Sequence, residues 1–311
     1  MKKLLYVLLF APLVLFGQYT YVPDNAFEQI LINTGLDDEM DDFVLTSNID
    51  TVSILILCYY GIQDFTGIQD FTNLSYLDIS HNMIEEVNFS QNTLLTELIC
   101  TNNNITSLNI SQNVLLTRLE CNQNDLSEID VSLNILLNYL DLSGNQLPEI
   151  NISQNTALTY LELGGNAITN IDVSVNSALT FLHCEYNQLN SLDLINNNNL
   201  NILHCGGNQL LELNLSYNSL LSEVNCSYNP QLNCIEVSDI EYAETNQNFI
   251  KDTNAIWSLD CGAEVSIEEI AKHNFVIKTI DIFGREVFNE PFTLLIDLYD
   301  DGSTQRRVVI E

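Results

Sequence analysis

Residues 158–178 read L-T-Y-L-E-L-G-G-N-A-I-T-N-I-D-V-S-V-N-S-A, and residues 179–199 read L-T-F-L-H-C-E-Y-N-Q-L-N-S-L-D-L-I-N-N-N-N. The two segments align without a gap: leucine is first and fourth, leucine or cysteine is sixth, and asparagine is ninth. The same 21-residue pattern continues in both directions along the chain. Its first column is unbroken and consists of Leu74, Leu95, Leu116, Leu137, Leu158, Leu179, Leu200 and Leu221.

The pattern L-x-x-L-x-[LC]-x-x-N-x-L resembles the leucine-rich repeat family, and its period lies within that family's range of about 20–29 residues. The resemblance implies a mainly β solenoid of short parallel strands with little helix outside its caps. Alternation around each L-x-[LC] independently predicts a short strand with two side chains inward and the middle one outward. The asparagine at the following turn is expected to satisfy backbone groups that no ladder reaches.

Each repeat also has a second, similar half of ten or eleven residues. That length is too short for a helix with two turns, so short strands or irregular turns are expected on the opposite wall. Asparagine closes this half, and we interpret it as a second structural ladder rather than a glycan or ligand site. The members of this ladder are Asn92, Asn113, Asn134, Asn155, Asn176, Asn197 and Asn218.

The ends of a solenoid expose apolar coil faces and need caps. In the front segment, residues 18–73, Asp24 predicts the N-cap of a helix over Asn25–Asn33, with Gly35 as its stop. This segment resembles the N-terminal cap and irregular first coil of secreted bacterial leucine-rich-repeat proteins. Repeats are expected over residues 74–232. Residues 233–262 resemble the C-terminal cap of the same proteins, with Trp257 covering the last coil.

The eight cysteines fall into two groups. Six share one inward column and are interpreted as buried, unpaired small hydrophobes rather than metal ligands. Cys234 and Cys261 bracket the rear cap, and an exported protein favours a disulfide between them. The column consists of Cys58, Cys100, Cys121, Cys184, Cys205 and Cys226.

The first seventeen residues predict a cleaved signal peptide, with the mature chain beginning at Gln18. Lys2 and Lys3 precede an apolar run over residues 4–16, which is shorter than the roughly 20 residues that a membrane-spanning helix needs. We therefore expect export to the medium or the outer cell surface, without membrane insertion.

Residues 263–311 contain F-V-I-K-T-I-D-I-F-G-R-E-V and end with L-Y-D-D-G-S-T-Q-R-R-V-V-I-E. This segment resembles the type A sorting domain of the type IX secretion system of Bacteroidetes. The resemblance implies a small C-terminal β module and makes the type IX machinery a partner. A β-hairpin cap of the solenoid is the alternative. By resemblance, the sorting signal would include Gly284, Arg285, Asp301 and Gly302.

Forty-two acidic against nine basic residues give a net charge of −33. Arg118 is the only base between Lys3 and Lys251, so nucleic-acid and anionic-membrane binding are excluded. A cationic or neutral partner is compatible with this charge. The acidic run over residues 37–42 lacks the spacing of a calcium loop and is interpreted as a solvated loop.

Outward positions on the concave strands are the expected ligand-binding surface. An aromatic row there is rimmed by acids and histidines and favours a peptide or sugar ligand, although a ladder that merely stabilises the sheet is an equal alternative. The histidines with their glutamates could hold a metal, but a flat sheet offers no closed cavity, so neither a metal site nor a cofactor is predicted. The candidate residues are Tyr139, Tyr160, Phe181, Glu162, His183, His204 and Glu185.

The sequence has no Ser-His-Asp order, G-x-S-x-G, H-E-x-x-H or P-loop motif. We therefore predict a secreted or surface-displayed protein that binds an extracellular protein or glycan and is not an enzyme. A non-catalytic structural surface component is the alternative. A hydrolase using the Glu/His strip is less favoured.

Overall fold

The computed structural model describes residues 17–262, 276–281, 293–299 and 304–309. The chain divides into two compact units, Met1–Leu259 and Asp260–Glu311. The predicted signal peptide, up to residue 16, lies outside the described residues. So do the four expected sorting residues, Gly284, Arg285, Asp301 and Gly302.

The front cap contains strand β1 (Tyr19–Tyr21), helix α1 (Asn25–Asn33), strand β2 (Phe43–Leu45) and the short helix α2 (Thr46–Ile49). β1 and β2 pair antiparallel. The Asp24 carboxylate accepts the N–H groups of Ala26 and Phe27 at 2.9 and 3.1 Å, as expected of an N-cap. Gly35 follows the helix with φ +74°, so the predicted helix and both of its ends are confirmed.

The repeats form one parallel sheet of ten strands, most of them three residues long. Neighbouring strands pair in register at the 21-residue period, so Leu140 lies beside Leu161 and Leu161 beside Leu182. The leucines of this column are fully buried, whereas the residues on either side face outward. The strands contributed by the front cap and repeats are β3 (Ile54–Ile56), β4 (Tyr76–Asp78), β5 (Glu97–Ile99), β6 (Arg118–Glu120), β7 (Tyr139–Asp141), β8 (Tyr160–Glu162), β9 (Phe181–His183) and β10 (Ile202–His204).

The rear of the solenoid adds strands to two sheets. In chain order its elements are β11 (Leu213–Asn214), β12 (Glu223–Asn225), β13 (Cys234–Glu236), α3 (Ile240–Thr245), β14 (Phe249–Ile250) and β15 (Ile256–Ser258). β12 and β14 complete the ten-stranded sheet, while β11, β13 and β15 form a small parallel sheet. Trp257 is partly buried and packs on the core as expected of a capping residue.

The two asparagine ladders support the turns on opposite sides of the core. In the first ladder, the Asn145 amide donates to the carbonyls of Cys121 and Leu142, and its oxygen accepts the N–H of Leu126, each at 3.0 Å. In the second, the Asn155 amide donates to two carbonyls at 2.9 Å, but its oxygen has no hydrogen-bond partner among the described residues. Both ladders are therefore structural, as predicted. Between the strands, the second half of most coils consists of turns.

The six cysteines of the inward column are unpaired, and five of them are buried; Cys58 is partly exposed. Burial raises the pKa of Cys184 to about 12 and is also the main cause that raises the pKa of Cys226 to about 12. Cys234 and Cys261 are disulfide-bonded, which confirms the predicted bond at the rear cap.

The C-terminal unit contains strands β16 (Val276–Asp281), β17 (Thr293–Tyr299) and β18 (Thr304–Val309). They form an antiparallel sheet in that order. The expected small β module is therefore present. None of the helices in the described part of the chain combines the length and apolarity needed to cross a membrane.

Candidate functional site

We call the outward side of strands β4–β10 and β12 the strand face. The short strands place two outward residues per coil there, and register makes residues 21 positions apart direct neighbours. All seven predicted ligand-binding residues lie on or just beyond these strands. They form two adjoining groups, an aromatic stack and a histidine–glutamate cluster.

The aromatic stack consists of Tyr139, Tyr160 and Phe181. Their ring centroids are 4.1 and 4.2 Å apart, and the planes of each pair differ by only 4°. Each ring is half-buried, and the middle ring is covered on both faces by its neighbours. The stack therefore offers ring edges, rather than ring faces, to a ligand.

Both ends of the stack are also covered. The guanidinium of Arg118 lies 3.9 Å from the ring centroid of Tyr139, a cation–π contact. The same guanidinium pairs with Glu120, to which its Nε donates at 2.6 Å. At the other end, the ring of His204 meets Phe181 edge-on at 6.2 Å.

The tyrosine hydroxyls of the stack remain hydrogen-bonding groups at neutral pH. Burial raises the pKa of Tyr139. Burial also raises the pKa of Tyr160, and its hydrogen bond with Tyr139 raises it further. The two hydroxyls therefore stay protonated.

In the histidine–glutamate cluster, His183 bridges two carboxylates. Its Nδ1 lies 2.6 Å from Oε1 of Glu162, and its Nε2 lies 3.1 Å from Oε2 of Glu185. Burial alone would lower the pKa of His183, but the hydrogen bonds and charges of the two carboxylates outweigh it, and the pKa is raised. The ring of His204 meets that of His183 edge-on at 5.3 Å, and its Nε2 lies 2.8 Å from Glu223.

Two carboxylates of the strand face are less available to a ligand than their outward positions suggest. Glu162 is 8% exposed and is occupied by His183. Asp141 is 9% exposed, and its carboxylate accepts from both the N–H and the hydroxyl of Ser143. Burial raises the pKa of Asp141. The predicted contact of Glu162 with a ligand would therefore act through His183.

Two exposed tyrosines extend the strand face beyond the predicted residues. Tyr186 and Tyr228 lie at the turn after the strands, with left-handed φ values of +52° and +57°. A Cβ at Gly207 would come within 2.7 Å of the Tyr186 ring, so the glycine makes room for that ring. Arg118, Glu223 and the two exposed tyrosines were not among the predicted site residues.

A separate groove lies on the opposite wall, in the second half of three coils. Its volume is about 940 Å³, and its lining includes Ser111, Glu128, Asp130 and Glu149. None of its lining residues is aromatic or histidine, so it lacks the ring edges and imidazoles of the strand face. We therefore place the candidate site on the strand face.

Comparison with solved structures identifies leucine-rich-repeat proteins. The functional domain of InlJ from Listeria monocytogenes, which includes a cysteine ladder, is 29% identical with a TM-score of 0.66, over 78% of this chain and 61% of that chain. A leucine-rich-repeat protein of Leptospira interrogans is 19% identical with a TM-score of 0.52, over 66% of this chain and 60% of that chain. Internalin C2 of Listeria monocytogenes is 22% identical with a TM-score of 0.54, over 78% of this chain and 98% of that chain.

This chain thus spans about three fifths of the length of the first two proteins. The comparison confirms the leucine-rich-repeat fold. No protein-family model matches the sequence, and no curated protein does either.

Proposed function

We propose that the solenoid is an exported binding module whose strand face recognises a basic segment of an extracellular protein. The charge of this face carries the proposal. Its two outward columns contain six carboxylates, two of them nearly buried, against the histidines His183 and His204 and one arginine, Arg118, which is already paired with Glu120. The carboxylates are Asp78, Glu97, Glu120, Asp141, Glu162 and Glu223.

The aromatic stack favours a protein over a sugar. Sugar recognition by aromatic residues uses the flat face of a ring, whereas each face of Tyr160 is covered by a neighbouring ring. The exposed edges and hydroxyls instead suit lysine and arginine side chains, whose apolar stems pack against rings while their charged ends reach carboxylates. Opposite charge across such a surface also accelerates association.

Binding rather than catalysis also agrees with the state of the polar groups. Glu162, His183 and Glu185 satisfy one another on an open sheet surface. A hydrolase would need such groups free to meet a substrate within a site that excludes water.

The test is an array of synthetic peptides graded in lysine and arginine content, probed with the full chain beside a glycan array. We expect binding to basic peptides that falls in the variant Glu97→Gln/Glu120→Gln. The matched control is Glu128→Gln/Glu149→Gln, which removes the same charge from the opposite wall. An equal loss of peptide binding in both variants would show that the binding depends on net charge alone. Binding confined to the glycan array would contradict a protein ligand.

We also propose that type IX secretion machinery exports the protein and reads the C-terminal segment. The support is the sequence resemblance around Gly284, Arg285, Asp301 and Gly302, together with the leader before Gln18. Mass spectrometry of surface or secreted protein from the native host should find Gln18 at the N-terminus and no residues after about residue 262. An intact Glu311 terminus on exported protein would contradict this route.

A further inference from the structure

On the strand face, the histidine–glutamate cluster groups three side chains that could share one ion. His183, Glu185 and His204 each offer a ligand atom, and these atoms lie within 4.8 Å of one another. Two imidazoles and one carboxylate form a donor set that suits Zn²⁺ and other divalent transition metals. Among the described residues, this is the one such group of His, Cys, Asp or Glu side chains.

Each of these three side chains is held by a further polar group. Glu162 lies at Nδ1 of His183, and Glu223 lies at Nε2 of His204. Oε1 of Glu185 accepts the amide N–H of Asn225 at 2.6 Å, which leaves Oε2 directed at His183. In metal sites, a ligating histidine usually donates its other ring N–H to a carboxylate, and a ligating carboxylate usually accepts a further hydrogen bond.

The backbone leaves room for the cluster. The positions equivalent to Glu185 in the two neighbouring coils are Gly164 and Gly206, whereas most other coils carry a serine, threonine or asparagine there. A Cβ at Gly164 would lie 3.2 Å from both Glu162 Oε1 and His183 Nε2. A Cβ at Gly206 would lie 2.8 Å from the backbone oxygen of Ser227 and 3.1 Å from Glu185 Oε1. A side chain at position 164 would press directly on Glu162 and His183, and one at position 206 would press on Glu185 as well as on the backbone of the next coil.

We infer that His183, Glu185 and His204 form a binding site for a divalent transition-metal ion on the strand face. Glu162, Asn225 and Glu223 orient the ligands. The side chains of both histidines are 24% exposed and that of Glu185 is 14% exposed, so an ion can enter from solvent and keep an open position. The three ligands come from two successive coils, and the orienting residues come from those on either side: Glu162 from the preceding coil, and Asn225 and Glu223 from the following one. This inference does not depend on the proposed protein ligand.

The test is calorimetric titration of the full chain with Zn²⁺, supported by the visible absorption spectrum of the Co²⁺ form. We expect one tight site per chain, abolished by His183→Gln and by His204→Gln. Glu162→Gln, which keeps all three ligands, should weaken binding by about 10–100-fold. Gly164→Ala should also weaken it, since the added methyl displaces His183 without removing a donor.

His81→Gln and Cys58→Ser are the matched controls. His81 stacks on Tyr59 and bonds to Asn102 in other coils, and Cys58 is the partly exposed thiol. Both variants should keep the native affinity.

Thermal unfolding without metal verifies that each variant is folded, and added Zn²⁺ should raise the melting temperature of the native chain but not of His204→Gln. The inference would be overturned if the native chain bound no stoichiometric Zn²⁺ or if a control variant lost binding. It would also be overturned if folded His183→Gln and His204→Gln bound Zn²⁺ as tightly as the native chain. Peptide binding is measured separately without metal, so the two proposals can fail independently.

Discussion

The two asparagine ladders should respond differently to the same substitution. Asn145→Ala removes the two short amide donations, to the carbonyls of Cys121 and Leu142, and leaves the buried N–H of Leu126 without its partner. The two carbonyls keep another asparagine donor each, from Asn124 and Asn166. The orphaned N–H costs about 1–3 kcal/mol and each lost hydrogen bond about 0.5–1.5 kcal/mol, so the free energy of unfolding should fall by about 2–6 kcal/mol.

Asn155→Ala should cost less, although Asn155 is fully buried and Asn145 is 8% exposed. The carbonyls of Val131 and Asn134 retain backbone N–H donors after the substitution. The unpartnered oxygen of Asn155 disappears with the side chain, which offsets part of the loss. The expected decrease is below about 2 kcal/mol.

Urea unfolding of the two variants measures the difference. Circular dichroism follows the coils, while the fluorescence of Trp257 follows the rear cap, and coinciding transitions justify a single free energy. The slope of the free energy against urea should stay the same in both variants. A loss for Asn155→Ala that equals or exceeds the loss for Asn145→Ala would refute the reasoning that assigns the cost to the orphaned N–H.

Two further predictions concern the cysteine column and the aromatic stack. Burial raises the thiol pKa of Cys184 and Cys226 to about 12, so alkylation of the native chain near neutral pH should label Cys58 alone. Denaturation should expose all six free cysteines to the reagent, and reduction should add Cys234 and Cys261. Mass spectrometry identifies the labelled cysteines at each step, and labelling of Cys184 in the native state would contradict the packing. Tyr160→Ala removes two ring contacts worth about 0.5–1.5 kcal/mol each and should lower the free energy of unfolding by about 1–3 kcal/mol. Leu161→Ala beside it opens a core cavity and should cost about 2–5 kcal/mol. Urea unfolding measures the free energy of unfolding of Tyr160→Ala and Leu161→Ala. An unchanged free energy for Tyr160→Ala would show that the aromatic stack does not stabilise the sheet.

The 21-residue period predicted those features that depend only on the regular stacking of one coil on the next. Residues 21 positions apart become neighbours, so the buried leucines, both asparagine ladders and the cysteine column could be assigned directly. Helix α1 was also predictable, because Asp24 and Gly35 mark its two ends. Helix α3 was missed, although Asp239 caps it in the same way and accepts the N–H of Tyr242.

The candidate site was only partly predictable, since the contacts of long side chains depend on the room left by neighbouring coils. The period placed Tyr160 between two aromatic residues, but it did not show that both ring faces are covered. It also did not reveal that Glu185 reaches Asn225, forty positions away. The only signal for that contact was Gly206, which lies between them and carries no side chain.

The most direct test of ligand recognition by the strand face is carboxyl footprinting of the full chain, with and without the strongest lysine-rich peptide from the array. Carbodiimide-driven labelling, read by mass spectrometry, reports the accessibility of each carboxylate. Bound peptide should protect Glu97 and Glu223 on the strand face and leave Glu128 and Glu149 on the opposite wall unchanged. Protection of Glu128 and Glu149 with undiminished labelling of Glu97 and Glu223 would contradict the assignment of the strand face as the binding surface.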